Sequence, residues 1–132
     1  MRLKINKGLN LRLAGALSGY DACHAEPASC AVVPDDFPGF TPKLLVKEGD
    51  VVMAGSALMY DKFSPEVCLV SPVSGTIKAV ERGERRKILR VVVENDKRHE
   101  SLIFDTKAPL AELLGKSGFF TMFRRRPYDV VP

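Results

Sequence analysis

No stretch of the 132-residue sequence approaches the roughly 18 consecutive apolar residues that a membrane-spanning helix requires, so no spanning segment is expected. Residues 1–13 alternate charged and apolar side chains and lack the apolar core of a signal peptide, which argues against export. Cysteine is scarce: there are three, an odd number at irregular spacing, which speaks against a disulfide framework and for a reducing compartment. Cys23, His24 and Cys30 are the only metal-like grouping, and structural zinc takes four ligands, often paired as Cys-x-x-Cys. His99 stands apart in a charged loop, so no metal site is expected. The excess of basic over acidic side chains, 20 against 16, leaves a net charge of +4, too small to imply nucleic acid on its own. Nucleophile elbow, Walker loop and dinucleotide glycine fingerprint are all missing. Gly115-Lys116-Ser117 matches only the tail of a phosphate loop, with Leu110 where that motif needs glycine. The paired carboxylates Asp35 and Asp36 lie among prolines and read as solvated surface rather than acid/base machinery. No catalytic residue is therefore expected.

What is present is an ordinary globular composition, 45% hydrophobic and 27% charged, in a chain long enough for a real core. Leu3 to Ile5 and Leu9 to Leu13 alternate like half-buried strands around Gly8. Residues 20–42 carry Pro27, Pro34, Pro38 and Pro42 and read as ordered loop, with room for a short strand at Cys30-Ala31-Val32-Val33. The centre is more regular. Runs at Val51-Val52-Met53, Ala57-Leu58-Met59-Tyr60, residues 67–70, residues 76–80 and residues 88–93 are separated by turns rich in glycine or charge. Short strands at this spacing indicate a small barrel or sandwich.

Val46-Lys47-Glu48-Gly49-Asp50 is echoed by Val80-Glu81-Arg82-Gly83-Glu84, as expected for two quasi-equivalent halves. Both glycines are expected to supply the positive φ of a tight turn. Beyond Glu94 the chain is polar, then apolar at Leu102-Ile103-Phe104, and Pro109 opens a short helix through Leu110, Leu113 and Leu114. Phe119, Phe120, Met122 and Phe123 follow, next to Arg124-Arg125-Arg126, as if built to be covered by another surface.

Two motifs carry a resemblance. Val46-Lys47-Glu48-Gly49-Asp50-Val51-Val52 with Gly55, followed by Ser71-Pro72-Val73-Ser74-Gly75-Thr76-Ile77, resembles the biotinyl/lipoyl-type barrel-sandwich hybrid over roughly residues 40–95. A narrower likeness runs nearly the full length. Leu3-Lys4-Ile5-Asn6-Lys7-Gly8-Leu9, Thr41-Pro42-Lys43, Asp61-Lys62, Arg82-Gly83-Glu84-Arg85-Arg86, Ser117-Gly118-Phe119-Phe120-Thr121 and the end at Val131-Pro132 are similar to the opening of the NqrA subunits of Na+-translocating NADH:quinone reductases. The N-terminal region of the RnfC subunits of related electron-transport complexes is the nearest alternative.

The resemblance implies a mainly β chain: an N-terminal strand and loop extension over residues 1–39, a barrel-sandwich hybrid over 40–95, and a helix with a basic-aromatic segment over 96–132 that leads into a following domain. It implies a peripheral subunit on the cytoplasmic side of the bacterial inner membrane. The parent complex oxidises NADH, reduces ubiquinone, pumps Na+ and uses flavins and iron–sulfur centres, none of them expected in this fragment. The implied partners are other subunits of the complex and the following domain, and the fragment itself is expected to be non-catalytic.

Lys62 is the one candidate for covalent attachment. Lipoyl-type carriers modify a lysine in an Asp-Lys pair at a hairpin tip, and Asp61-Lys62 lies between the two barrel motifs. The second arm, residues 63–70, is longer than the carrier pattern, and the biotin Met-Lys-Met signature is missing, which favours an ordinary exposed lysine. Residues 78–98 hold eight basic and four acidic side chains, equal to the whole net charge. Within this stretch the cluster Arg82, Glu84, Arg85, Arg86, Lys87 and Arg90 has the charge to meet RNA or anionic lipid, but interleaved acids and missing aromatics favour a solvated turn. Arg124-Arg125-Arg126 beside the phenylalanines fits docking on a following domain better than a membrane surface.

Overall fold

The computed structural model describes residues 26–132 apart from 106, 126 and 132. The strands expected within residues 1–13, together with Cys23 and His24, lie outside the described residues. The rest forms seven strands and one helix: β1 (Ser29–Val32), β2 (Pro42–Leu44), β3 (Val51–Val52), β4 (Ala57–Asp61), β5 (Cys68–Val70), β6 (Gly75–Arg82), β7 (Ile88–Asn95) and α1 (Leu110–Lys116). A four-stranded sheet ordered β1-β7-β6-β3 faces a three-stranded sheet ordered β2-β4-β5, with every pairing antiparallel. This is the mainly β barrel-sandwich architecture that the residue pattern implies.

The core is drawn from both sheets. Val52, Ile77, Ile88, Val91 and Val93 come from the larger one, and Leu58, Met59 and Leu69 from the smaller. Burying each contributes about 1.5–3 kcal/mol before chain entropy is set against it. Along β6 the alternation is clean at its start, with Gly75 and Ile77 buried and Thr76 and Lys78 exposed. On β4 it fails, because Leu58 and Met59 are adjacent and both fully buried. The reason is a bulge: Ala57 pairs with Val70 and Met59 with Leu69, so Leu58 is an extra residue in the ladder and both side chains turn inward.

The turn Lys47-Glu48-Gly49-Asp50 is sewn to β6. Gly49 N–H donates to the Ile77 carbonyl at 2.8 Å, and Ile77 N–H donates to the Asp50 carbonyl at 2.9 Å. Gly49 has φ +90°, as the echo predicts. Its counterpart Gly83 does not: its φ is −98°, and the positive φ values fall instead on Arg85 and Arg86. The β6–β7 turn closes two residues later than the echo implies, where Lys87 N–H donates to the Glu84 carbonyl. Gly83 has a packing role, since a Cβ there would come within 3.1 Å of the Leu89 side chain.

Candidate docking surface

The hairpin joining β4 to β5 carries Lys62, and its shape is set by Asp61. The Asp61 carboxylate is only 7% exposed. It accepts backbone N–H bonds from Thr41 at 2.6 Å, Phe63 at 3.1 Å and Ser64 at 2.9 Å. Three donors on one buried carboxylate tie the loop to Thr41, the residue just before β2. Lys62 N–H donates to the Thr41 carbonyl, while its side chain is exposed and its ammonium lies 5.5 Å from the Phe63 ring centroid. The aspartate of the Asp61-Lys62 pair thus organises the loop, a role that the sequence alone did not reveal.

Past the barrel, α1 returns over the loop that precedes β5. Its Gly115 approaches so closely that a Cβ there would stand 2.4 Å from the Glu66 carbonyl oxygen. The helix ends at Lys116, and Gly118 takes the left-handed conformation at φ +76°. A 3-10 turn, Phe119–Met122, follows. Thr121, 4% exposed, donates its hydroxyl to the Gly118 carbonyl at 2.6 Å. Between this turn, β1 and β5 lies a mostly apolar cleft of about 320 Å3, bordered by Val32, Phe37, Val70, Pro72 and Phe119.

Arg124 fixes the segment in place. Its guanidinium donates to the carbonyls of Thr121 at 2.6 Å, Phe123 at 3.0 Å and Asp36 at 3.4 Å, and lies 6.0 Å from the Phe37 ring centroid. Val131 N–H then donates to the Pro38 carbonyl, and Val130 packs on Gly39. The residues expected to form a basic-aromatic run therefore divide their work: Arg124 is inward-facing structure, while Arg125 is exposed. The outer face carries Phe119 at 51%, Met122 at 76% and Phe123 at 49% exposure, with the two phenylalanine rings 6.0 Å apart.

The remaining candidates fall elsewhere. Asp35 and Asp36 are both exposed, and Asp35 pairs with Lys87 at 2.6 Å. Cys30 is half-buried on β1. Cys68 is buried on β5, where desolvation pushes its thiol pKa up and the Lys116 charge only partly opposes this. Among the described residues no group of three or more His, Cys, Asp or Glu side chains could hold a metal ion. Among them, too, no helix is long and apolar enough to cross a membrane.

Comparison with known proteins bears on this architecture directly. The profile of the family described as the NqrA N-terminal barrel-sandwich hybrid domain matches residues 3–96. The NqrA subunits of Na(+)-translocating NADH-quinone reductases align over 98% of this chain, at 38% identity in Neisseria meningitidis serogroup C (strain FAM18), 37% in Marinomonas sp. (strain MWYL1) and 35% in Haemophilus influenzae (strain Rd). The chain spans 31% of the length of each of these relatives. With the glycine turn at Gly49, the two facing sheets and the Ser71-to-Ile77 motif all in place, the chain belongs to the NqrA N-terminal barrel-sandwich hybrid family.

Proposed function

We propose that this chain is an assembly module of the NqrA subunit of a Na+-pumping NADH:quinone reductase, and that it orients the rest of that subunit without contributing a catalytic residue. The observation that carries this reading is the aromatic face. Phe119, Met122 and Phe123 are exposed, yet the turn that presents them is anchored by Arg124, Thr121 and Gly118. Rigid backbone under exposed apolar side chains is a preformed contact surface, because its ordering cost is met before any partner arrives. Its proposed occupant is the following domain of the same subunit, since the relatives are about three times as long as this chain.

On this reading NADH, flavins, iron–sulfur centres and ubiquinone belong to other parts of the complex. The module sits peripherally on the cytoplasmic side of the inner membrane, with the barrel as one unit and residues 96–132 as its lead into the next. Deleting residues 1–132 from the full-length subunit is the direct test. Loss of complex assembly and of NADH:quinone turnover is expected, and normal values for both would refute the role.

The exposed side chain of Lys62 supports a second reading, covalent carriage of a lipoyl or biotinyl group. Intact mass after co-expression with active lipoyl and biotin ligases tests it, and an unshifted mass removes it.

A further inference from the structure

We infer that the trough between β2 and the tip of the β6–β7 hairpin binds an acidic segment of a protein partner. The inference rests on the assembly reading and adds to it the chemistry of a contact. The trough has a volume of about 420 Å3. Its rim is cationic, with Lys43 from β2 and Arg82, Arg86 and Lys87 from the hairpin, and Pro42, Leu44 and Ile88 also line it. Of the four, Lys87 alone has a carboxylate partner among the described residues, Asp35. Arg82 reaches no more than the Arg86 carbonyl at 3.5 Å, and among the described residues Lys43 and Arg86 have no acidic partner. Four cations with one counter-charge repel one another unless an anion enters.

The hairpin tip is an independent sign. Arg85 (φ 53°, ψ 28°) and Arg86 (φ 62°) are the central residues of the turn closed by Lys87 N–H on the Glu84 carbonyl at 3.1 Å. Two consecutive left-handed residues at the centre of a tight turn are the positions where Asn-Gly is favoured. Arginine at both opposes the backbone preference, and such outliers collect at binding sites.

The shape selects the ligand. A flat bilayer cannot enter a concave trough. A single phosphate would fill a small part of it and leave the half-buried Pro42 and Leu44 uncovered. An extended acidic segment matches both features, because its carboxylates meet the planar forks of Arg82 and Arg86 while its apolar side chains cover the lining.

The test is fluorescence anisotropy on the 132-residue chain with a fluorescein-labelled ten-residue peptide alternating glutamate and valine. Its glutamine counterpart, inorganic phosphate and phosphatidylglycerol vesicles are measured alongside. The glutamate peptide should bind, weaken with added salt and exceed the glutamine peptide at least tenfold. The Arg85→Asn/Arg86→Gly variant removes two guanidinium groups while relieving the turn, so its Tm should rise by a few degrees while peptide affinity falls at least tenfold. Lys43→Gln/Arg82→Gln should weaken binding equally, and Lys97→Asn/Lys107→Asn, an equal charge change outside the trough, should leave it within twofold. Equal loss in that last pair would show a response to net charge alone and overturn the site. Displacement of the peptide by sub-millimolar phosphate, or vesicle binding without peptide binding, would overturn the choice of ligand. Deleting residues 1–132 tests assembly separately, so loss of assembly without peptide binding rejects the trough and leaves the assembly role standing.

Discussion

At the scale of single residues, buried polar groups set the loops that the apolar pattern leaves open. Asp61 holds three backbone N–H donors while nearly inaccessible to water. Asp61→Ala orphans them and should cost about 1–3 kcal/mol in chemical denaturation. Asp96 lies at the barrel surface, where its carboxylate accepts the Ser74 hydroxyl at 2.6 Å and the Arg98 N–H at 3.0 Å. The Ser74 hydroxyl, then the Arg98 N–H, hold its pKa below the ordinary value. The folded state therefore binds that proton less readily than the unfolded chain. The resulting stabilisation is present above the unfolded pKa and is lost as pH falls through the folded one. Ser74→Ala should bring the Asp96 titration, followed by carboxyl NMR, back up toward its ordinary value. It should also shrink the stability lost by the wild type on acidification. Asp61-Lys62 was visible in the sequence as a pair, but only the fold shows that the aspartate organises the loop.

At the scale of elements, the β6–β7 hairpin is the longest pairing in the barrel and closes through two consecutive left-handed arginines. Gly75, at its start, has φ +153° and lies so near β7 that a Cβ would overlap the Glu94 carbonyl. Gly75→Ala must displace one strand from the other and should cost at least about 1–3 kcal/mol. The other end behaves in the opposite sense. Arg85→Asn/Arg86→Gly should stabilise by about 1–2 kcal/mol, read from urea midpoints at unchanged slope. The ion pairs flanking the tip, Lys87 with Asp35 and Arg90 with Glu81, are exposed and add little by comparison. The strands themselves were legible because apolar runs such as Ile88-Leu89-Arg90-Val91-Val92-Val93 stand between glycine or charged turns. The bulge at Leu58 was not, since an extra residue in a ladder leaves no mark on composition.

At the scale of the whole molecule, two surfaces are built for contact, and they differ in chemistry. One is the aromatic face at Phe119, Met122 and Phe123, and the other is the cationic trough beside β2. Phe119→Ser/Met122→Ser should cost only about 1 kcal/mol in stability, because half or more of each side chain is already exposed. In the full-length subunit the same pair should lower the yield of assembled complex, read by co-purification. Arg124→Ala should act on both quantities, because its guanidinium ties the aromatic turn to the Asp36 carbonyl.

The sequence by itself determined the barrel: period-two apolar runs, the Lys47-to-Asp50 turn and the Ser71-to-Ile77 motif suffice, because strand pattern and turn chemistry are local. It also located the net charge in residues 78–98 and the apolar aromatics before Arg124. Tertiary structure decided what those features do. It moved the positive φ from Gly83 to Arg85 and Arg86, paired Lys43 with a hairpin some forty residues away in one trough, and turned Arg124 inward onto Asp36 and Phe37. Each of these depends on which distant segments meet across the core, and side-chain periodicity along one strand carries no record of that.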